Sequence, residues 1–249
     1  MTISFHEFQT DRVLPMVATD PQAVAPGKER RLAPPRRGIY RTICKRLLDI
    51  TAILAAAPVV VPMVAAMAVM VARDGGRPFY SQVRVGRGGK PFRMWKLRSM
   101  VNDADERMEA YLAENPEARA EWDSTQKLRN DPRVTPVGQF LRKSSLDELP
   151  QLWNVLMGDM SLVGPRPHAI AHNNEFMTRI ADYARRHHVK PGITGWAQVN
   201  GYRVETDTEE KMRSRVQFDQ AYIDRWSLMF DVKIVLLTVL SRKTYRNAF

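Results

Sequence analysis

The chain has 249 residues, a hydrophobic share of 44% and a formal charge of +11. That length suits one domain with attached segments or two small ones, and the basic surplus points to a standing partner with negative charge: nucleic acid, anionic lipid or a phosphorylated substrate. Cys44 is the only cysteine, which excludes an intramolecular disulfide and suits a reducing compartment, and the opening MTISFHEFQTDRV lacks the layout of a secretory signal.

Residues 1–38 carry scattered prolines (Pro15, Pro21, Pro26, Pro34, Pro35) and a basic cluster (Lys28, Arg30, Arg31, Arg36, Arg37). No apolar period runs through them, so they read as a flexible basic arm, either a solvated tail or one drawn to anionic lipid by about 1 kcal/mol per basic residue near the surface. From Ile50 to Ala72 there is no charged residue. As a helix rising about 1.5 Å per residue, this run is long enough for a hydrocarbon core of about 30 Å. Pro58 and Pro62 interrupt it, and each removes a backbone donor. Basic residues flank it on both sides: Arg41, Lys45 and Arg46 before, then Arg73, Arg77, Arg84, Arg87 and Lys90. Positive flanks favour the cytoplasm. The expectation for 39–74 is therefore a membrane helix that enters, breaks at the prolines and returns; a straight span and a buried core helix are the alternatives.

Phe79–Met100 alternates apolar residues around Gly86, Gly88 and Gly89 and predicts a β-hairpin. Asn102 to about Gln126 is helix-forming, interrupted by Pro116, and Asp131–Phe140 is a turn-rich link. Ser145–Leu156 predicts a short helix, Gly158–Pro167 a loop, Asn173–His188 a helix, Lys190–Gly201 a loop, and Glu209–Leu240 one or two helices. The end of that last stretch, Tyr222–Leu240, is mostly apolar, begins with Trp226 and Phe230 and is followed by Arg242, Lys243 and Arg246, a pattern that suits an interfacial helix or a core one.

The chemistry centres on Arg142-Lys143-Ser144-Ser145-Leu146-Asp147-Glu148. Ser145 with Glu148 three residues on is a capping box, an ordinary helix start. The same start, beside Arg142 and Lys143, also suits phosphate, and a carboxylate there would have a depressed pKa and serve as nucleophile or metal ligand. Lys96 and Arg98 are spaced to share one strand face. Arg166 is held between Pro165 and Pro167, which suits bidentate phosphate contact. In the loop Lys190–Gly201, Trp196, Gln198 and Asn200 offer an aromatic face and two amides for a nucleobase, or else a structural loop around a buried Trp; Arg203 follows closely. His168 and His172, and His187 and His188, have no cysteine or carboxylate at zinc spacing. Magnesium held by a carboxylate and substrate phosphates fits this composition better.

SSLDELPQLWNVLMGDMSLVGPRP, KPGITGWAQVNG and KLRSM, behind KRLLD and an apolar segment, resemble the bacterial sugar transferases from about Thr42 to about Leu240. These are monotopic enzymes that pass a sugar phosphate to a polyprenyl phosphate. The resemblance implies an α+β, mostly helical fold: a re-entrant membrane helix-break-helix, a small β-hairpin, and interfacial amphipathic helices around one catalytic domain at 75–249. It implies a place on the cytoplasmic face of the bacterial inner membrane, with anionic lipid, undecaprenyl phosphate and a UDP-sugar as partners, Mg²⁺ as cofactor and no nucleic acid; a homo-oligomer is compatible with it. Asp147 matches the nucleophile that displaces UMP and carries a phosphosugar. Glu148 matches its partner acid, the two sharing the metal. Arg142 and Arg166 match phosphate-holding positions, and Arg203 a nucleotide-side arginine. GPRPHAIAHNN and the ETDTEEKM stretch look most like glucose phosphotransferases, and EWDSTQKLRNDPRV like galactose-phosphate members, with glucose favoured. The family usually has Ser-Pro where Val61-Pro62 stands here, so no hydroxyl is available to the carbonyl that the proline leaves bare.

Overall fold

The computed structural model describes residues 38–125, 128–203 and 208–240. The basic arm before Gly38, the cations after Leu240 and the start of ETDTEEKM lie outside these residues. The described chain is mostly helical, as expected, and has a second small sheet beside the expected hairpin.

A π-helical turn, Tyr40–Cys44, leads into α1, Lys45–Ala72. This helix is long and apolar enough to cross a membrane, and little of its apolar run is buried. One part of the expectation is corrected: α1 runs unbroken with Pro58 and Pro62 inside it. Each proline forfeits one intrahelical bond, a loss that a kink can absorb without ending the helix. Leu54, Val59 and Val61, around the prolines, are exposed. Both ends of the helix, by contrast, are packed. Ile53 joins Met94, Val155 and Met160, while Met67 and Val71 join Leu97 and Leu141.

The predicted hairpin forms from β1, Phe79–Val85, and β2, Pro91–Leu97, antiparallel with Phe79 opposite Leu97 and Val85 opposite Pro91. Its turn uses positive φ at Gly88 and Gly89. Two polar helices follow, α2 (Ala104–Glu114) and α3 (Pro116–Thr125), divided at Pro116 as the sequence suggests. The turn-rich link then hides a helix, α4, Pro136–Ser144. Thr135 caps it by accepting from the Gly138 N–H, and Pro136 opens it, a start signal that the short run obscured. Gly138 lets α4 lie on the end of the hairpin, because a β-carbon there would come within 1.9 Å of the Ser99 carbonyl oxygen.

The predicted Ser145–Leu156 helix is two pieces: a 3₁₀ turn, Leu146–Glu148, and α5, Gln151–Met157. Ser145 has φ 60°, closes α4 as a left-handed residue and makes no side-chain cap bond, so the capping box does not form. Next come β3 (Ser161–Val163), α6 (Ile170–Arg179), a 3₁₀ stretch (Tyr183–His188), β4 (Gly192–Thr194) and α7 (Trp196–Val199). The predicted 173–188 helix thus ends at Arg179, where the chain turns through Asp182 at φ 58°. The two expected loops instead pair β3 and β4 in parallel, Ser161 with Gly192 and Val163 with Thr194. Gly164 and Gly192 permit this crossing: a β-carbon on Gly192 would meet the Gly164 nitrogen at 2.1 Å. The last two helices are α8, Glu209–Arg225, and α9, Leu228–Leu240.

A buried polar knot fastens the start of α1 to this frame. Asp49 accepts from Ser161 Oγ at 2.7 Å and the Leu162 N–H at 3.3 Å, and Lys45 bridges Asp49 and Asp231 at 3.0 and 3.1 Å. Tyr40 and Tyr222 donate to the same Asp231, at 2.5 and 2.8 Å. The KRLLD segment therefore ties the apolar helix to β3 and α9. Beyond the knot, α9 buries Ile234 and exposes Leu228, Met229, Val232, Leu236, Val239 and Leu240.

Candidate active site

Asp147 and Glu148 sit on the 3₁₀ turn between α4 and α5, both nearly buried, at 8% and 7% exposure. Four basic residues from four other segments converge on this turn. Lys96 on β2 reaches Asp147 Oδ2 at 3.4 Å and Glu148 Oε1 at 3.1 Å. Arg166, in the loop after β3, forks onto Glu148 with Nη2 2.6 Å from Oε1 and Nη1 3.3 Å from Oε2. Arg203 closes the ring at 3.5 Å from Glu148 Oε2. Arg142, at the end of α4, donates from Nε to Ser99 Oγ at 2.9 Å and lies within electrostatic reach of Asp147.

The two carboxylates are not equivalent. Burial pushes Glu148 up, but Arg166, Lys96 and Arg203 together overcome it and hold the group well below the usual carboxylate range. For Asp147 burial wins: it raises the carboxyl above its ordinary 3.8, and Lys96 offsets only part of this. Sequence reasoning expected one depressed pKa supplied by a helix start. The source is instead the converging cations, and the effect falls on Glu148 alone.

This arrangement fits magnesium through one member of the pair. Mg²⁺ takes one or two carboxylates and completes its shell with water and substrate phosphates. Among the described residues, Asp147 has one cation within 4 Å, whereas both Glu148 oxygens are already taken by cations. Asp147 is therefore the less encumbered of the two carboxylates.

The other expected residues have partners of their own. Arg98 does not share the site with Lys96: β2 ends at Leu97, and Arg98 turns to Asp74, bonding it at 2.5 and 2.8 Å along with the Val71, Arg77 and Met100 carbonyls. Trp196 is half-buried. It packs on Phe230, with ring centroids 5.0 Å apart, and on Phe218, under Lys233. The two amides serve the backbone: Gln198 donates to the Ile193 carbonyl and Asn200 to that of Trp196.

Two groups of residues escaped the sequence reading. Arg84 lies beside Arg166 and Glu148, half-buried, with its Nε unpartnered. The hairpin register would have found it, since Tyr80 pairs with Lys96 and Arg84 shares Tyr80's face. His168, Tyr183, Arg186, Arg215 and Asp219 form a buried cluster behind Arg166 that no local spacing announces.

The description Bacterial sugar transferase matches residues 40–244. A UDP-glucose:undecaprenyl-phosphate glucose-1-phosphate transferase of Escherichia coli K12 is 48% identical over 216 residues, covering 86% of this chain and 43% of its own length. A protein of the same name from Caulobacter vibrioides is 45% identical over 206 residues, covering 82% of this chain and 72% of its own. An undecaprenyl-phosphate galactose phosphotransferase of Salmonella typhimurium is 46% identical over 195 residues, or 78% of this chain and 39% of its own. The chain thus spans less than half the length of the E. coli and Salmonella proteins.

Proposed function

The chain belongs to the bacterial sugar transferase family, and from that premise we propose that it transfers a hexose 1-phosphate from a UDP-sugar to undecaprenyl phosphate, releasing UMP, as the first step of an exopolysaccharide repeat unit. The observation that carries the reading is the unequal pair: Glu148 gripped by three cations beside Asp147, which has one.

In this mechanism Asp147 attacks the β-phosphorus of the UDP-sugar. A bond forms from its carboxylate oxygen to that phosphorus, the phosphoanhydride bond breaks, and UMP leaves with the electron pair. A phosphate oxygen of undecaprenyl phosphate then attacks the same phosphorus, giving the diphosphate-linked sugar and regenerating Asp147. The raised pKa of Asp147 makes it a more basic nucleophile than an exposed carboxylate. Glu148 stays ionised and fixes Lys96, Arg166 and Arg203 where phosphate charge develops. Magnesium, bound through Asp147 and the diphosphate, would supply charge neutralisation.

The sugar is read as glucose, on the names of the E. coli and Caulobacter relatives. Galactose is the second reading, favoured by the Salmonella relative. We read the enzyme as lying on the cytoplasmic face of the inner membrane, with α1 re-entrant and α9 at the interface. Packing of α1 on both sides of its prolines, Ile53 with Met94 and Met67 with Leu97, supports re-entry through a kink rather than a break.

The test incubates purified protein with Mg²⁺, undecaprenyl phosphate and a panel of UDP-sugars. UMP release is expected with UDP-glucose and not with the Asp147→Asn variant; release of UDP, or turnover retained in the variant, overturns the mechanism. For topology, an impermeant maleimide on spheroplasts should label neither Cys44 nor an Arg77→Cys variant until the membrane is opened. Labelling of one end alone in intact spheroplasts means a straight span.

A further inference from the structure

The hairpin carries one more cation into the active site, and that cation has no carboxylate of its own. Tyr80 pairs across the hairpin with Lys96, and Arg84 pairs with Phe92. Alternation puts Arg84 on the face of Tyr80, the face from which Lys96 reaches Asp147 and Glu148. Val85, the next residue, donates its N–H to the His168 carbonyl at 3.0 Å. This bond fastens the end of β1 to the segment that carries Arg166, and Arg84 lies within electrostatic reach of both Arg166 and Glu148.

The two neighbouring arginines are provided for differently. Arg166 forks onto Glu148, whose oxygens also meet Lys96 and Arg203, so that carboxylate is fully engaged. Arg84 is half-buried and, among the described residues, forms no ion pair. Its Nη2 donates to the neutral amide oxygen of Gln82, and its Nε is buried without an acceptor. Arginines that hold the fold together look otherwise, each with a carboxylate: Arg98 has Asp74 and Arg186 has Asp219. Burial and the Arg166 charge both work against the ionised form of Arg84. A buried charged donor without an acceptor is costly, and a guanidinium matches phosphoryl oxygens in both charge and geometry. A phosphate of the substrate is the acceptor that this position calls for.

We propose that Arg84 is a substrate-binding residue whose guanidinium takes a phosphoryl oxygen of the substrate at the site of Asp147 and Glu148. The proposal rests on the transfer reaction above and adds to it a donor from the hairpin. Two substrates of that reaction carry the chemistry, the diphosphate of the UDP-sugar and the phosphate monoester of undecaprenyl phosphate.

The test compares the full chain in detergent with its Arg84→Gln and Arg84→Lys variants. Without substrate, Arg84→Gln should melt at or above the wild-type temperature, because it removes a cation beside Arg166 and only one bond, to Gln82. Binding is then read as the rise in melting temperature given by UDP-glucose or by undecaprenyl phosphate, each added alone with Mg²⁺. Arg84→Gln should lose most of one of these rises, and the ligand whose protection is lost identifies the source. In turnover, kcat/KM for that ligand should fall at least tenfold in Arg84→Gln and recover in part in Arg84→Lys. A lower melting temperature of unliganded Arg84→Gln marks a structural arginine and overturns the proposal. So does protection that both ligands keep, or a kcat/KM within twofold of wild type for both. A wild type that releases no UMP refutes the transfer reaction instead, and the protection measurement still decides on Arg84.

Discussion

Arg166 and Glu148 form a two-point fork, Nη2 to Oε1 at 2.6 Å and Nη1 to Oε2 at 3.3 Å, and Glu148 is 7% exposed. The fork makes Glu148 the fixed charge of the site and leaves Asp147 as the less restrained carboxylate. Removing Glu148 strands three cations, and breaking a buried pair costs about 3–5 kcal/mol. Glu148→Gln is therefore expected to unfold about 3 kcal/mol more easily, the lower end because Arg166 stays partly accessible. Denaturant titration measures this, and a variant as stable as wild type would refute the anchoring role.

Asp147 behaves oppositely. Its folded pKa is raised above 3.8, so the folded state binds its proton more readily and loses stability as pH rises through that window; Glu148, depressed below 4.5, contributes stability above 4.5 that is lost as pH falls through its folded value. At pH 7 the burial of an ionised Asp147 is a cost, so Asp147→Asn should be at least as stable as wild type while UMP release disappears. The acid limb of kcat/KM should fall at a pH above the ordinary aspartate value. Thermal melts at pH 7 and a pH–rate profile check the two halves.

Arg98 and Arg203 should part company. Arg98→Met breaks the tie to Asp74 and to three carbonyls, so it should lower stability by about 2 kcal/mol and leave KM for the UDP-sugar within twofold. Arg203→Met, which removes a cation from Glu148, should reduce kcat/KM at least tenfold with a smaller loss of stability. Steady-state kinetics beside melting curves would expose a reversal of the two.

Trp196 belongs to the packing against α9. Trp196→Phe keeps an aromatic ring beside Phe230 and Phe218, so it should cost about 1–2 kcal/mol of stability and change KM for the UDP-sugar less than twofold. A tenfold rise in KM with an unchanged melting temperature would restore the base-stacking role.

The Asp49 knot separates anchoring from chemistry. Asp49→Ala leaves Lys45 with only Asp231 and strips the acceptor from Ser161 and Leu162. A loss of about 3 kcal/mol is expected, with specific activity of the folded fraction kept within threefold. Activity falling tenfold in fully folded protein would place the knot in the catalytic machinery instead.

The sequence by itself determined the elements whose signals are local: the uncharged run of α1, the glycine-turned hairpin, and Asp147-Glu148 as the candidate pair. Each is legible because alternation, apolar length and neighbouring residue type operate over a few positions. The short parallel pair β3–β4 and helix α4 were not, since three-residue strands have no period to read and α4 begins inside a run of turn formers. Only the tertiary structure decided how the pair divides its work. Lys96 and Arg203 lie more than fifty residues from Glu148 along the chain and within 3.5 Å of it in space. A pKa depends on burial and through-space charge, and neither is written in spacing. The fold therefore turned an apparent helix cap into one anchored carboxylate, Glu148, and one less restrained one, Asp147.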